Sequence, residues 1–446
     1  MTLATPPILG DGAVPAGLLA RAHGAARWLA ARGVAEGSRI AVDAPGVPAW
    51  LLGADLLGAA TLVVEPSWTP REREAVLADA SPHLVVTGAA PPVADGVPRA
   101  DRGTRGAGGV SPVGGDATIF YLPTTSGSSA RPKVLMRTRG SWLRSFEALG
   151  RLPGPVLIPG PLSSSLFLFG TLHALWCGHE VRSLPRWAPE AAAEAAREAA
   201  TVHLVPAMLS ALLDVLDRRP DLRAGCALRT VVCGGAHLDP GARARFSRLL
   251  PGVELVDYYG SAEHSLIAVR RGEGGLRPVS GVRLDVRDGV LWVRSPLAFD
   301  GYLRDGVPWP VTGWSTVGDR VELDDTGALV VLGRLGATLS SGGKLVSAEE
   351  VEGVLRGVPY VTDVLVTGTP HPTLGSIVTA VVEATSGGRP TLRELRHAAS
   401  ANLEPGKRPR RWLVTTALPR TASGKPARAT VAEQLRDGTL AAEPIR

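Results

Sequence analysis

From Leu18 the segment LLARAHGAARWLAARGV repeats apolar residues at helical spacing and stops at Gly33, after which RIAVDAP has the short apolar run of a buried strand. The alternation recurs. AWLLGADLLGA predicts a helix, TLVVEP a strand, PREREAVLADA a helix and HLVVTG a strand, an order that predicts an α/β domain with largely parallel strands. Pro and Gly crowd residues 88–115, which predicts a surface loop. Beyond it ATIFYLP is expected to be a strand running into the small-residue loop TTSGSSARPK, and the carboxyl end of a strand is where α/β folds place ligands.

Further alternation runs through AAAEAAREAA, HLVPA, MLSALLDVLD and RTVVCGG to VELVDYYGSAE. From about residue 276 the texture changes to short strands with frequent turns, as in VRLDVRDGVLWVRS and RVELDDTGALVVLGR. Past Arg334 a new unit begins, with helix SAEEVEGVLRGV, strands VTDVLVTGT and IVTAVVEA, and helix TLRELRHAASANL. The expected domains are therefore 1–334 and 335–446: a large α/β domain carrying a small β subdomain, then a small α+β domain.

Composition agrees with two unequal domains, because 446 residues exceed the ~250 to 300 at which a single core stops growing. With 45% hydrophobic and 20% charged residues the chain reads as an ordinary globular protein. The net charge is +6, but arginines are scattered and no block of consecutive like charges forms a tail, so no nucleic-acid footprint is expected. Cys177, Cys226 and Cys233 form no CxxC pair, which supports neither a disulfide framework nor a zinc site. The first residues lack a charged region followed by an apolar one, so a cytoplasmic protein without a membrane span is expected.

Chemistry concentrates in the segment Thr124 to Lys133. Its small residues offer backbone N–H groups and hydroxyls that can wrap a polyphosphate, with Lys133 as a cation for the outer phosphates. The GxxxxGK[ST] spacing is absent, so this is not a Walker-type loop, and taken alone the run could equally be a surface loop. Four further segments follow: CGGAHLDP at 233–240, DYYGSAEHS at 257–265, WSTVGDRVELDDTGALVVLGR at 314–334, and LPRTASGKPAR at 418–428. Together, and in this order, the five resemble the motifs of the AMP-forming acyl-CoA synthetase, adenylation-domain and luciferase superfamily, from about residue 14 to residue 430.

The resemblance implies an enzyme that joins a carboxylic acid to ATP as an acyl-adenylate and passes the acyl group to the thiol of coenzyme A; a carrier protein or an amine is the alternative acceptor. A non-catalytic nucleotide-binding relative is a further alternative, against which the intact PRTASGK loop argues. By position, Thr125, Ser126, Gly127, Ser128, Ser129 and Lys133 would cradle the β- and γ-phosphates, Gly235 and Ala236 would line the acyl and adenine pocket, and Tyr259 would stack near adenine. Gly260, Ser261 and Ala262 belong to the same nucleotide-binding motif. Glu263 would hold Mg²⁺, Asp319 would accept both ribose hydroxyls with Arg334 assisting, and Lys425 would reach the reacting carboxylate and α-phosphate. The catalytic residues implied are Lys425, Glu263 and Lys133. Read as residues alone, Glu263 beside His264 could be a solvated loop pair, Asp319 a turn residue and Lys425 a solvated lysine.

The chain departs from the family pattern in places. Ala130 and Val134 replace loop glycines, Ala262 replaces a threonine hydroxyl, and Val317 precedes the Gly318–Asp319 pair. At the hinge pattern GRxDD the Asp is Gly336 and the usual Lys is Ser340, while glycine still permits the backbone change a hinge requires. Ser163 to Ser165 replace a histidine or aromatic, and the Asp that anchors an α-amino group is absent there, which predicts an acid without an α-ammonium.

Overall fold

The computed structural model describes residues 3–445 except 13, 89–90, 94–108, 126–131, 185, 237, 239, 335–337, 342–343, 372–374, 386 and 422–423. Two sheets form the body of the large domain. In the first, the strands run in the order Val307–Pro310, Gly301–Arg304, Lys133–Thr138, Ile119–Tyr121, Ala60–Val63, Arg39–Asp43, Leu84–Thr87, with Thr124–Thr125 paired to Lys133–Thr138 off this path. Its last four strands are parallel; Lys133–Thr138 and the two beyond it are antiparallel.

The second sheet runs Arg277–Pro278, Ser265–Arg271, Glu254–Ser261, Thr230–Gly234, Thr201–Leu204, Val156–Ile158, Val181–Ser183. Its central strands are parallel and buried along their whole length, which is why TVVCG and TVHL carry apolar or small residues on both faces instead of alternating. Helix Pro206–Arg218 starts on a proline, whose missing N–H costs nothing at that position, and buries Met208, Leu209, Leu212, Leu213, Val215 and Leu216 against this sheet.

A four-stranded antiparallel sheet, Arg283–Arg287, Val290–Arg294, Asp319–Leu323 and Leu329–Arg334, follows, as the short turn-rich strands predict. The C-terminal unit has a sheet of its own, Val361–His371, Gly375–Ala384, Arg411–Thr415 and Glu443–Pro444. Its core is also its own: Val351 and Leu355 of helix Ala348–Arg356 and Leu395 of helix Leu392–Asn402 pack on Val364, Val366, Val378 and Trp412. The latter helix opens with a reciprocal capping box between Thr391 and Glu394, as Thr69 and Glu72 do for helix Pro70–Ala80. No described helix is long and apolar enough to cross a membrane.

Two expectations change. ATIFYLP is a strand only over Ile119–Tyr121, because Pro123 has no N–H to give a ladder. TTSGSSARPK is not a loop throughout: Thr125 pairs with Lys133 across a short antiparallel ladder, so Thr124–Thr125 and Lys133 belong to strands.

Candidate active site

Direct contacts join four of the five motifs in pairs, Tyr259 with Asp319 and Gly235 with Lys425. Lys133, opposite Thr125, is exposed, and its ammonium lies 5.4 Å from the ring centroid of Tyr302. The Thr125 hydroxyl is buried and has no hydrogen-bond partner among the described residues. Ser126, Gly127, Ser128 and Ser129 lie outside the described residues, as does Gly336.

Glu263 stands in the tight turn between Glu254–Ser261 and Ser265–Arg271. The turn needs Gly260, since a Cβ there would lie 2.0 Å from the Ser265 carbonyl oxygen. The Glu263 carbonyl accepts from the Phe299 N–H at 2.7 Å and from Arg137 Nη1 at 3.3 Å. Its carboxylate forms no hydrogen bond or ion pair with the described residues. His264 corrects the solvated-pair alternative: it is buried, with Nδ1 3.3 Å from Ser261 Oγ and Nε2 2.8 Å from Ser315 Oγ. Burial, reinforced by the Arg137 charge, pushes its pKa down to about 4, so it is neutral at neutral pH.

Tyr259 and Asp319 meet directly. The tyrosine hydroxyl donates to Asp319 Oδ2, and Asp319, nearly buried at the start of its strand, pairs in register with Arg334. Gly235 follows the strand Thr230–Gly234 at φ +84°, a conformation that favours glycine. A side chain on it would begin 3.3 Å from Lys425 Nζ and 3.3 Å from Leu166 Cδ1. Ala236 beside it is exposed.

The segment that carries Lys425 is braced from behind. Thr421 N donates to the Lys425 carbonyl at 2.7 Å, and Arg420 donates to Asp363 at 3.0 Å, Glu383 at 2.8 Å and the Gly424 carbonyl at 3.0 Å. Arg428 donates to Glu352 at 2.6 Å. These arginines explain why LPRTASGKPAR is rich in cations of which only Lys425 points at the large domain's Gly235. A Cβ on Gly424 would lie 3.5 Å from Met208 Cε, so the segment touches the large domain there too.

Sequence reasoning missed Arg137 and Tyr302. Arg137 is 1% exposed; burial pushes its pKa down to about 10, against the pull of Asp300, Glu263 and Tyr121. Tyr302 is pushed up to about 12 by burial and by Glu263. The signal for Arg137 was available, as a charge inside the apolar run KVLMRT.

Two domain matches cover most of this assembly, with Asp319 and Arg334 lying between them. The model of the AMP-binding enzyme family matches residues 16–303, well over half of the chain, and that of its C-terminal domain matches 350–425. The chain belongs to the AMP-binding enzyme family. It is an ATP-dependent, AMP-forming ligase that makes an acyl-adenylate. The chain is 29% identical over 438 residues to the uncharacterized acyl–CoA ligase YhfT of Bacillus subtilis, covering 90% of this chain and 88% of that one. It is 28% identical to the p-hydroxybenzoic acid–AMP ligase FadD22 of Mycobacterium tuberculosis, over 90% of this chain and 62% of that one. Among solved structures, ATP-bound MatB from Rhodopseudomonas palustris superimposes with a TM-score of 0.82 at 22% identity, covering 98% of this chain and 100% of that one, which shows the fold. The amide bond synthetase McbA from Marinactinospora thermotolerans gives 0.79 at 26% identity, with 96% and 98% covered.

Proposed function

We propose that this ligase activates a small-molecule carboxylic acid with ATP and transfers the acyl group to the thiol of coenzyme A. The observation that carries the reading is the meeting of Lys425, Gly235 and Leu166, which sets a cation from the small domain against the end of a central strand of the large one. An ammonium so held can orient the reacting carboxylate and balance charge that develops as it attacks the α-phosphate, so catalysis is positioning and electrostatics. Lys133, with Thr125 and the residues 126–129, binds the β- and γ-phosphates. Asp319 takes the ribose hydroxyls, and Tyr259 holds its carboxylate while facing adenine.

Mg²⁺ fits the donors present. Among the described residues no group of three or more His, Cys, Asp or Glu could hold a metal, and Glu263 is a single carboxylate whose oxygens form no hydrogen bond or ion pair with them. Mg²⁺ is commonly held by one or two carboxylates plus substrate phosphates. Bound there, it would neutralise phosphate charge. For thioester formation, domain 335–446 turns about Gly336 and exchanges Lys425 for the 340–343 segment.

The similarity to an amide bond synthetase keeps an amine as the second reading of the acceptor. Pyrophosphate release over a panel of acids, with and without coenzyme A, tests both. Acid-dependent release accompanied by thioester supports the first reading. Release without thioester, and with product on an added amine, replaces it with the second.

A further inference from the structure

Arg137 sits in the strand Lys133–Thr138 after Val134, Leu135 and Met136, all buried, and is itself 1% exposed. Only Nη1 is satisfied, on the Glu263 carbonyl at 3.3 Å. Nε and Nη2 are buried and have no acceptor among the described residues. These two nitrogens share one edge of the guanidinium, and their N–H bonds run parallel, the arrangement with which arginine grips a carboxylate through two bonds. A buried cation that leaves this edge unpaired is costly unless a ligand completes it.

The acceptors nearby are engaged or held apart. The charge of Asp300 acts on Arg137, but its carboxylate forms no hydrogen bond or ion pair with the guanidinium. The Tyr121 hydroxyl, across the ladder from Arg137, lies 3.4 Å from Ser165 Oγ. The Glu263 carboxylate makes no bond to the guanidinium. Ser165 adjoins Leu166, which together with Lys425 marks the place where the acid is activated on our reading. Arg137 is linked toward that place through Tyr121, its register partner, whose hydroxyl reaches Ser165. The neighbouring wall is polar as well, since Ser163 donates to Glu65. Behind Tyr121 the interior is filled by rings: Tyr121 to Trp142 at 5.2 Å, Trp142 to Phe169 at 5.4 Å, Phe169 to Phe146 at 5.0 Å. A long alkyl chain has no space on that side.

We propose that the Nε/Nη2 edge of Arg137 binds a second carboxylate on the acid substrate, which makes the substrate a short dicarboxylic acid. The proposal rests on the acid-activating function, and the two are separable by experiment. Acid-dependent pyrophosphate exchange is measured with succinate, glutarate and adipate against butyrate, valerate, hexanoate and benzoate, on the wild type, Arg137→Lys and Arg137→Met. Calorimetric titration of succinate and glutarate into each protein, with no ATP present, reads binding apart from turnover, and thermal melts report folding. The expected result is a kcat/KM at least tenfold higher for a dicarboxylate than for the monocarboxylate of equal length. Arg137→Met should erase that preference through the KM of the acid, leave the KM of ATP within threefold, and abolish the calorimetric signal; Arg137→Lys, which keeps the charge without the fork, should retain part of it. Exchange with monocarboxylates but with no dicarboxylate overturns the fork and leaves the ligase reading standing, as does equal loss for both acid types or a loss confined to ATP. Exchange with no acid, alongside Arg137-dependent binding of a dicarboxylate, sinks the ligase reading and keeps the fork. Absence of both sinks the two together. If Arg137→Met does not fold, the Arg137→Lys comparison and the wild-type acid preference still decide.

Discussion

Lys425 Nζ of the small domain lies 3.3 Å from the point where a side chain on Gly235 of the large domain would begin. Across that gap a single cation is presented to the end of a buried parallel strand, and the segment behind it is tied by Arg420 and Arg428 to acids of its own domain.

Lys425→Ala should therefore abolish adenylate formation, by about 10² to 10³-fold if the ammonium acts like other preorganised charge stabilisers. Thioester formation from supplied acyl-adenylate should stay near wild type, because on the proposed mechanism that step uses the other domain orientation. Pyrophosphate exchange and thiol consumption measure the two halves separately, and equal loss of both would remove Lys425 from its role.

Gly235→Ala should slow the same half-reaction for a different reason. The φ of +84° costs an alanine about 1 to 2 kcal/mol, and the new methyl meets both Leu166 and Lys425 at 3.3 Å. A drop in melting temperature together with a fall in pyrophosphate exchange is expected. Normal exchange in a destabilised protein would mean that Lys425 works from another position.

Much of this architecture is legible in the residues themselves. Strands such as Thr230–Gly234 are short apolar runs bounded by turns, and helices such as Pro206–Arg218 have period and start signals together, so local rules suffice. The five motifs identify the family for the same reason: each is contiguous. What local rules cannot supply is a partner far along the chain. Arg139 is buried because Asp55, 84 residues earlier in the chain, waits in the core, and no local pattern announces that partner. The edge of Arg137 becomes visible only when strand pairing sets it opposite Tyr121 and the 261–265 turn covers it. His264 looks solvated next to Glu263 until Ser315, 51 residues on, closes over its Nε2.

Asp319→Ala should weaken ATP binding by ~1.5 to 3 kcal/mol, the worth of a charge-assisted hydrogen bond. Tyr259→Phe should have a smaller effect, since it removes the hydroxyl that donates to Asp319 and leaves the carboxylate in place. Calorimetry with ATP separates them; unchanged affinity in Asp319→Ala would take this residue out of the nucleotide site.

Stability should fall with acidification before most carboxylates titrate. Burial pushes His173 and His264 down to about 4 and His203 down to about 3, whereas in the unfolded chain each returns to an ordinary value near ~6.5. Between those limits the unfolded state binds more protons than the native one, so stability rises with pH there and is lost as pH falls from about 6.5 toward 4. Unfolding at pH 5 should take up about three protons from these histidines, measurable as the slope of denaturant-derived stability against pH. His264→Gln should lower that slope by about one proton; a slope unchanged by the substitution would show that His264 is already charged in the folded protein.

The last prediction concerns Arg139 and Asp55, which form a pair that is 1% and 0% exposed. Arg139 Nε donates to Asp55 Oδ1 at 2.6 Å, Nη1 donates to the Val113 carbonyl at 2.7 Å, and the remaining carboxylate oxygen takes the Ile8 N–H at 2.9 Å. Three separate chain segments are thus fastened to one helix start. Removing the guanidinium alone leaves a carboxylate buried without its counter-charge, which costs about 3 to 5 kcal/mol. Replacing both partners by apolar residues of similar size removes the stranded charge and should recover much of that loss. Arg139→Met should therefore be far less stable in urea than Arg139→Met combined with Asp55→Leu. If the double variant were as unstable as the single, the knot would act through its bonds to Ile8 and Val113 and not through charge balance.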